Sequence, residues 1–319
     1  MTRWTTRRAR IGVALACGWL AGCPLPGDGG RAVTFVDGYV VTAKSVTVRS
    51  AQYPWDVVCT KSEGSTLPFD VVAAEGVLFV TAPQAVRVYR PSDCALLRSL
   101  PVPGGIPFGL AYDGTALWVA DFAGPVVKLD PSTGARLLTV ATEGAPYGAL
   151  FDGESIWISV IFTNQERDHV LKIRPSDGTI LARVEVAPRP FKATYHDGVV
   201  WVPSHSGTVT RIDAASGTFL GESIIGGLPT AAAVHRGELA VTDGSEEGTV
   251  VFLSLSDGSC LRRCSSEGSY PYGLVSDGRL LWVDNGGDDE EPPTLSALGV
   301  LGPCLAETAC IASETDASS

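Results

Sequence analysis

Asp121, Asp243, Asp284 and Asn285 each stand where a short run of Val, Ala, Thr or Trp gives way to a loop. Oxygen side chains brought from such places to one point would suit Ca²⁺, a hard cation that takes about six to eight oxygen ligands. The loops "VIFTNQERDH" (160–169), "GSEEG" (244–248) and "DNGGDDEEPP" (284–293) are acidic and would equally suit a cationic partner. None has the ligand spacing of an EF-hand loop, and acidic loop runs are commonly no more than solvated.

A second set offers recognition instead of metal chemistry. Phe69, Phe108, Tyr147, Phe191 and Tyr272 each directly follow a proline. Such rings can stack on a sugar or a peptide, or they can pack between neighbouring units of the fold. One residue further on, three segments carry Gly109, Gly148 and Gly273, whereas Asp70, Lys192 and Ala231 fill the same place in three others. Opposite charges at a position otherwise suited to close backbone approach can mark a site, or can be solvated. Asp70, Phe108, Tyr147, Lys192, His205 and Tyr272 are therefore the ligand-binding candidates, and Asp121, Asp243, Asp284 and Asn285 the metal candidates. No nucleophile elbow, zinc-protease helix, phosphate loop or dinucleotide fingerprint occurs, so no residue is assigned a catalytic role.

Positioning these residues falls to a repeated element. Prolines 68, 107, 146, 190, 229 and 271 are spaced by 39, 39, 44, 39 and 42, and eleven residues after each stand Phe79, Trp118, Trp157, Trp201, Ala240 and Trp282. Between the two anchors lies Asp-Gly or its equivalent, from Glu75-Gly76 to Asp277-Gly278. Asp-Gly between apolar runs is a strong hairpin signal, because Gly accepts the positive φ of the turn. A third run ends in a second turn, as in "VVKLDPSTG" (126–134), and a fourth leads to the next proline. Four antiparallel strands in about 40 residues make one propeller blade.

The expected fold is thus all-β, a propeller of four-stranded blades over residues 30–311. Residues 30–64 read as a degraded copy, with Asp37-Gly38 but no anchor proline, which makes seven blades; without it there are six. The loops into the first strand and after the second open on one face around the channel. That face receives the aromatic and metal candidates, His169 and His205, while His196 and His235 fall beside hairpin turns on the other.

The pattern Pro-[Phe/Tyr]-Gly-Leu, Asp-Gly, Leu-Trp-Val, Asp-Pro-x-Thr-Gly resembles the YVTN, NHL and streptogramin-lyase-like group of propellers over about residues 30–310. The resemblance implies a scaffold for binding protein or carbohydrate, or alternatively a metal-dependent lyase or lactonase. No position matches the lyases' His and Glu set, so an enzyme is the less favoured reading. A third reading is a structural component of an envelope assembly.

The ends bound the setting. "MTRWTTRRAR" is basic and is followed by the short apolar run "IGVALACGWLAG", the pattern of a secretory signal. It ends in Leu20-Ala21-Gly22-Cys23, which resembles the lipobox of bacterial lipoproteins, with Cys23 as the acylated N-terminus; Ala14-Leu15-Ala16-Cys17 is the poorer match. The expectation is a signal peptide over 1–22, a tether over 23–29, a loose tail over 312–319, and a monomer held to the membrane by lipid, with Pro24 favouring the outer membrane. Loss of Arg3, Arg7, Arg8 and Arg10 would take the net charge from −11 to −15, which disfavours nucleic acid as a partner. Six cysteines remain, Cys59, Cys94, Cys260, Cys264, Cys304 and Cys310, an even number that points to disulfides in an exported chain. Cys59 with Cys94 is the expected pair, with two bridges among the other four.

Overall fold

Short runs of Val, Leu and Trp between Gly-bearing turns can satisfy their backbone groups by pairing with each other, and antiparallel sheets result. The computed structural model describes residues 69–162 and 168–285 in full, and residues 33–36, 39–42, 47–50, 57–60, 294–298 and 304–306 as strands, with the disulfide links of Cys59 and Cys304. Seven sheets follow in chain order, built from residues 33–60, 71–101, 107–140, 145–186, 194–224, 229–265 and 271–298. The first strands of successive sheets touch in cyclic order, and Val33–Val36 lies between Val71–Ala74 of the second sheet and Pro271–Ser276 of the last. That closed cycle is a seven-bladed propeller. Residues 33–60 form four consecutive strands, so the N-terminal segment is a blade of its own and not the missing edge of another.

The two final blades depart from the simple four-strand pattern. Blade 7 has three described strands, and the strand Cys304–Ala306 adds to the outer edge of blade 6, beside Cys260–Ser265. The Cys264–Cys304 disulfide joins directly opposed residues of that pair. The expected Cys59–Cys94 disulfide ties blade 1 to blade 2, and Cys260 is also disulfide-bonded. Cys310, Cys23, the leader and the tail lie outside the described residues.

Cys94 occupies the turn position that is Gly134, Gly178, Gly217 and Gly258 in blades 3 to 6, and it adopts φ 52° there. A left-handed residue other than Gly costs about 1–2 kcal/mol. A bridge across a sequence separation of 35 contributes roughly 3–4 kcal/mol. The bridge outweighs the strain.

Tryptophan organises the middle of the blade. Trp118, Trp157, Trp201 and Trp282 are each at most 1% exposed. In blades 3, 4 and 7 the indole N–H donates to the turn aspartate five residues earlier: Trp118 to Asp113 at 2.9 Å, Trp157 to Asp152 at 2.6 Å and Trp282 to Asp277 at 3.0 Å. The same carboxylates accept backbone N–H groups across their loops, so one side chain caps the hairpin and satisfies the buried indole. In blade 5 the turn is tighter, with Asp197 at φ 43° and Gly198 at φ 80°, and Trp201 follows Asp197 by only four residues. Its Nε1 has no hydrogen-bond partner among the described residues.

Beside each of three tryptophans, the next strand places a cation: Lys128 opposite Trp118, Lys172 opposite Trp157 and Arg211 opposite Trp201. The charges lie 5.2, 5.7 and 5.9 Å from the ring centroids, within cation–π range. Lys128 then donates to Pro175 O of blade 4 and Lys172 to Ala214 O of blade 5, so the pair also staples one blade to the next. Blade 6 carries Ala240 in place of Trp. Its aromatic has moved one strand outward, to Phe252 opposite Ala240, and Arg262 lies 4.0 Å over that ring.

Two predictions follow from the aspartate–indole unit. Asp152→Asn sets an amide NH₂ against the buried indole N–H and is expected to lower unfolding free energy by about 1–3 kcal/mol in urea titration; Asp197→Asn, with no indole to serve, should change it by less than about 0.5 kcal/mol. The second concerns pH. Burial opposes ionisation of Asp113 and Asp277, but hydrogen bonds outweigh it: the Trp118 indole and Lys128 hold Asp113 well below the usual carboxylate range, and the Leu280 N–H and Trp282 indole lower Asp277. The Ser132 hydroxyl lowers Asp130 to about 2, and the Ser259 N–H does the same for Asp257. Depressed carboxylates stabilise the fold fully above their unfolded value near 4 and lose that contribution as pH falls through the folded value. The carboxylate contribution should therefore hold from pH 7 to about 5 and be lost toward pH 2, while His205 and His235, held below their ordinary value of about 6.5 by burial, favour the fold only in the neutral form, so the urea midpoint should begin to fall below about pH 6.5 and keep falling toward pH 2.

Candidate binding surfaces at the channel mouth and the rim

The innermost strands approach so closely that a side chain has little room between them. A Cβ on Gly109 would meet Tyr147 O at 2.4 Å, and one on Gly148 would meet Lys192 Cα at 2.8 Å. Asp70 and Lys192 occupy this position in blades 2 and 5, which face each other across the ring, and the structure joins them. Lys192 Nζ donates to both oxygens of Asp70, at 2.9 and 2.8 Å, across 122 residues of sequence. Asp70 also accepts the N–H groups of Val71 and Leu110, both at 2.8 Å, and its side chain is 4% exposed while that of Lys192 is 40% exposed. A buried carboxylate needs such partners to offset its lost hydration. The two departures from Gly are thus one feature, a polar strut across the channel.

Above the strut the aromatic candidates form a row. Phe69 and Phe108 stack at 3.8 Å between centroids, Phe108 meets Tyr147 at 4.7 Å, Tyr147 meets Phe191 at 4.8 Å, and Phe191 meets His205 at 4.0 Å. The row runs through blades 2 to 5, stacked at Phe69–Phe108 and tilted or edge-on beyond, so these rings pack on one another between blades. Phe108 is buried; Tyr272 is half-buried at the matching place in blade 7. Phe122, from the loop after the second strand of blade 3, caps Phe108 at 5.0 Å and is itself exposed, beside exposed Ile106.

Two of the metal candidates are loop staples. Asp121 accepts Ile106 N–H at 2.6 Å and Ala123 N–H at 3.2 Å. Asp243 accepts Leu228 N–H and an Arg263 guanidinium, both at 2.8 Å. In each case the carboxylate ties the incoming loop of a blade to the loop after its second strand. Asp284 and Asn285 are buried at the end of the matching strand, and residues 286–293 lie outside the described residues. His205 is lowered to about 4, by burial first and by Arg189 next, with Asp243 opposing. It is neutral at pH 7. Among the described residues no group of three or more His, Cys, Asp or Glu is disposed to hold a metal ion, and His205, Asp243 and Asp284 form no such group.

The rim carries what the sequence analysis did not single out. Each of blades 2 to 6 has a β-bulge between its third and fourth strands, and the extra residue is leucine every time: Leu97, Leu137, Leu181, Leu220 and Leu261. They are 38, 54, 42, 47 and 37% exposed. A bulge at a sheet edge re-aims a side chain, and here it turns leucine outward. Leu96, Ile180 and Phe219, the residues before three of these leucines, are exposed too. Among the described residues, nine of the thirteen exposed large apolar side chains lie on fourth strands, and three, Ile106, Phe122 and Leu228, near the mouth, so the described apolar surface belongs mainly to the rim. The signal was present in the sequence, as a leucine three residues after each turn Gly or Cys94.

No protein-family model and no curated protein matches the chain. Solved structures do. A chain in the crystal structure of the mitotic checkpoint complex aligns with a TM-score of 0.69 at 13% identity, covering 84% of this chain and 90% of that one. BamB from Moraxella catarrhalis aligns at 0.56 and 15%, covering 81% of each chain. A chain of the hydrazine synthase from Kuenenia stuttgartiensis aligns at 0.69 and 14%, covering 88% of this chain and 99% of that one. At such identities the likeness establishes the propeller fold alone.

The strut can be tested by a double-mutant cycle. Lys192→Met should cost about 1–2 kcal/mol, less than breaking a fully buried pair because the ammonium is part-exposed. With Asp70→Asn it should show a coupling energy on the order of 1 kcal/mol in urea unfolding.

Proposed function

We propose that this protein is an exported bacterial lipoprotein of the YVTN, NHL and streptogramin-lyase-like type, anchored in the envelope through Cys23, and that its propeller holds a protein partner on its rim. The observation that carries the reading is the repeated bulge leucine. Five copies expose the same apolar residue at the same edge position, where an isolated surface protein gains solubility from a polar one. The mitotic checkpoint neighbour comes from a multiprotein complex, which is a setting consistent with this role. A net charge that goes from −11 to −15 with loss of the four leader arginines turns the surface away from nucleic acid and toward partners that are neutral or basic.

A second reading places a ligand at the mouth, where exposed Phe122 and Ile106 border the aromatic row. A sugar or peptide stacking there would contact Phe122 and Ile106.

Photocrosslinking in the native envelope separates the two. A photoreactive residue at Leu137 should yield a protein adduct that disappears in the Leu181→Asp, Leu220→Asp double variant and survives Phe122→Ala. The reverse pattern would move the function to the mouth. Anchoring has its own test: incorporation of labelled palmitate should be lost in Cys23→Ser and retained in Cys17→Ser, and retention in the former would refute lipidation at Cys23.

A further inference from the structure

We infer that the mouth of the propeller rests on a phospholipid surface, with the residues that precede the anchor prolines at the contact. The inference rests on acylation of Cys23 and not on the rim reading, and it leaves the rim free to face a partner.

The connectivity of the chain sets the orientation. In blade 1 Val36 pairs with Tyr39 across the hairpin turn and Val33 with Thr42 at the other end, as Tyr112 pairs with Leu117 and Pro107 with Asp121 in blade 3. Val33 therefore enters the ring at the mouth, on an innermost strand. Ten residues carry the chain from Cys23 to Val33. At no more than about 3.3–3.6 Å each, they reach roughly 35 Å. To pass over the rim to the hairpin face, the chain would cross three strand spacings of about 4.8 Å. It would then run down a strand the length of Ile180–Val186, seven residues at about 3.3 Å each. That path is about 37 Å before loops and side chains are counted. The shorter way, through the channel, is crossed by the Asp70–Lys192 strut. An acyl group on Cys23 is thus held on the mouth side.

The side chains at the mouth suit that contact. Before the six anchor prolines stand Leu67, Ile106, Ala145, Arg189, Leu228 and Tyr270, apolar, aromatic or basic every time in a chain with 35 acidic and 24 basic residues. Leu67 lies outside the described residues; Ile106 and Leu228 are 43 and 39% exposed, and Arg189 is exposed. Phe122 directly follows Asp121 on the same face. Ile224, at 69% the most exposed large apolar side chain among the described residues, pairs with Thr208 at the mouth end of blade 5. Apolar side chains and rings with a few cations among them are the groups that enter the boundary between headgroups and acyl chains. So small a set binds weakly alone, and a lipid anchor on the same side adds the second signal that stable attachment takes. Glu246 and Glu247 are exposed at the mouth of blade 6, so a zwitterionic surface fits and a strongly anionic one is repelled.

The experiment uses the full-length, acylated protein bound to vesicles of equal parts phosphatidylcholine and phosphatidylethanolamine. A photoreactive residue at Ile106 or Leu228 should form adducts with phospholipid, read as a mass shift. Their yield should exceed by about fivefold or more that from Tyr195, beside the hairpin turn of blade 5, or from Leu137 on the rim. Ile106→Ser with Leu228→Ser should lower the lipid adduct formed from position 122 about threefold or more, whereas Leu137→Ser with Leu220→Ser should leave it unchanged. The adduct pattern of the otherwise unaltered protein decides the matter by itself if a serine pair fails to fold. Equal yields at Ile106 and Tyr195, a larger yield at Leu137, or no lipid adduct from vesicle-bound protein overturns the inference and leaves acylation standing. Protein that carries no acyl group on Cys23 and stays off the vesicles overturns both.

Discussion

Every blade has two apolar faces and can bury them only against a blade on either side, so the ring must close or both end blades stay exposed. Closure is set at the axis, where the seven first strands meet and those of blades 3, 4 and 5 leave almost no space between backbones. Gly109 and Gly148 meet this demand by having no Cβ. Asp70 meets it differently, by turning its carboxylate to the buried N–H of Leu110 in the neighbouring strand and to Lys192 across the channel. Removing the Cβ and supplying a polar bridge are two solutions to one geometric constraint. Blades 1 and 7, which close the ring, also lie beside disulfides: Cys59–Cys94 ties blade 1 forward to blade 2, and Cys264–Cys304 ties the chain after blade 7 back to blade 6.

The architecture was legible because it is local and repeated. A proline, a turn and an aromatic at a constant offset of eleven specify strand, hairpin and strand without any distant information. Even a finer distinction was written there. The turn residue follows the proline by six in blades 3, 4 and 7 and by seven in blades 2, 5 and 6, and this single residue separates the aspartate-capped loop from the tight positive-φ turn. The apparent loss of an aromatic at Ala240 was legible only in three dimensions, because Phe252 compensates from the opposite strand. Cross-strand partners twelve residues apart carry no periodic signature of their own.

The candidate site was legible in part. Asp70 and Lys192 stood out as departures from the repeat, but nothing in one sequence pairs two charges 122 residues apart; that needs the ring to set blade 2 opposite blade 5. The acidic loops suggested a cation, and the structure gives Asp121 and Asp243 a different task. Each is the last residue of the second strand, where the incoming loop offers an N–H, and a carboxylate there closes the mouth of its own blade. The residue type was informative and its role was local. The aromatic row shows the same ambiguity, since rings that could stack on a ligand stack first on each other.

The rim was missed because exposed leucine looks like nothing in a sequence. A leucine three residues after a turn glycine reads as an ordinary strand residue, and only the bulge turns it outward. The five copies then differ in one respect that matters. Blade 6 alone, among those described, has its edge covered, and that cover is fixed by a disulfide between opposed residues. Hydrogen bonding to a three-residue strand is too short to be stable by itself, so the covalent link explains how so small a segment stays in place.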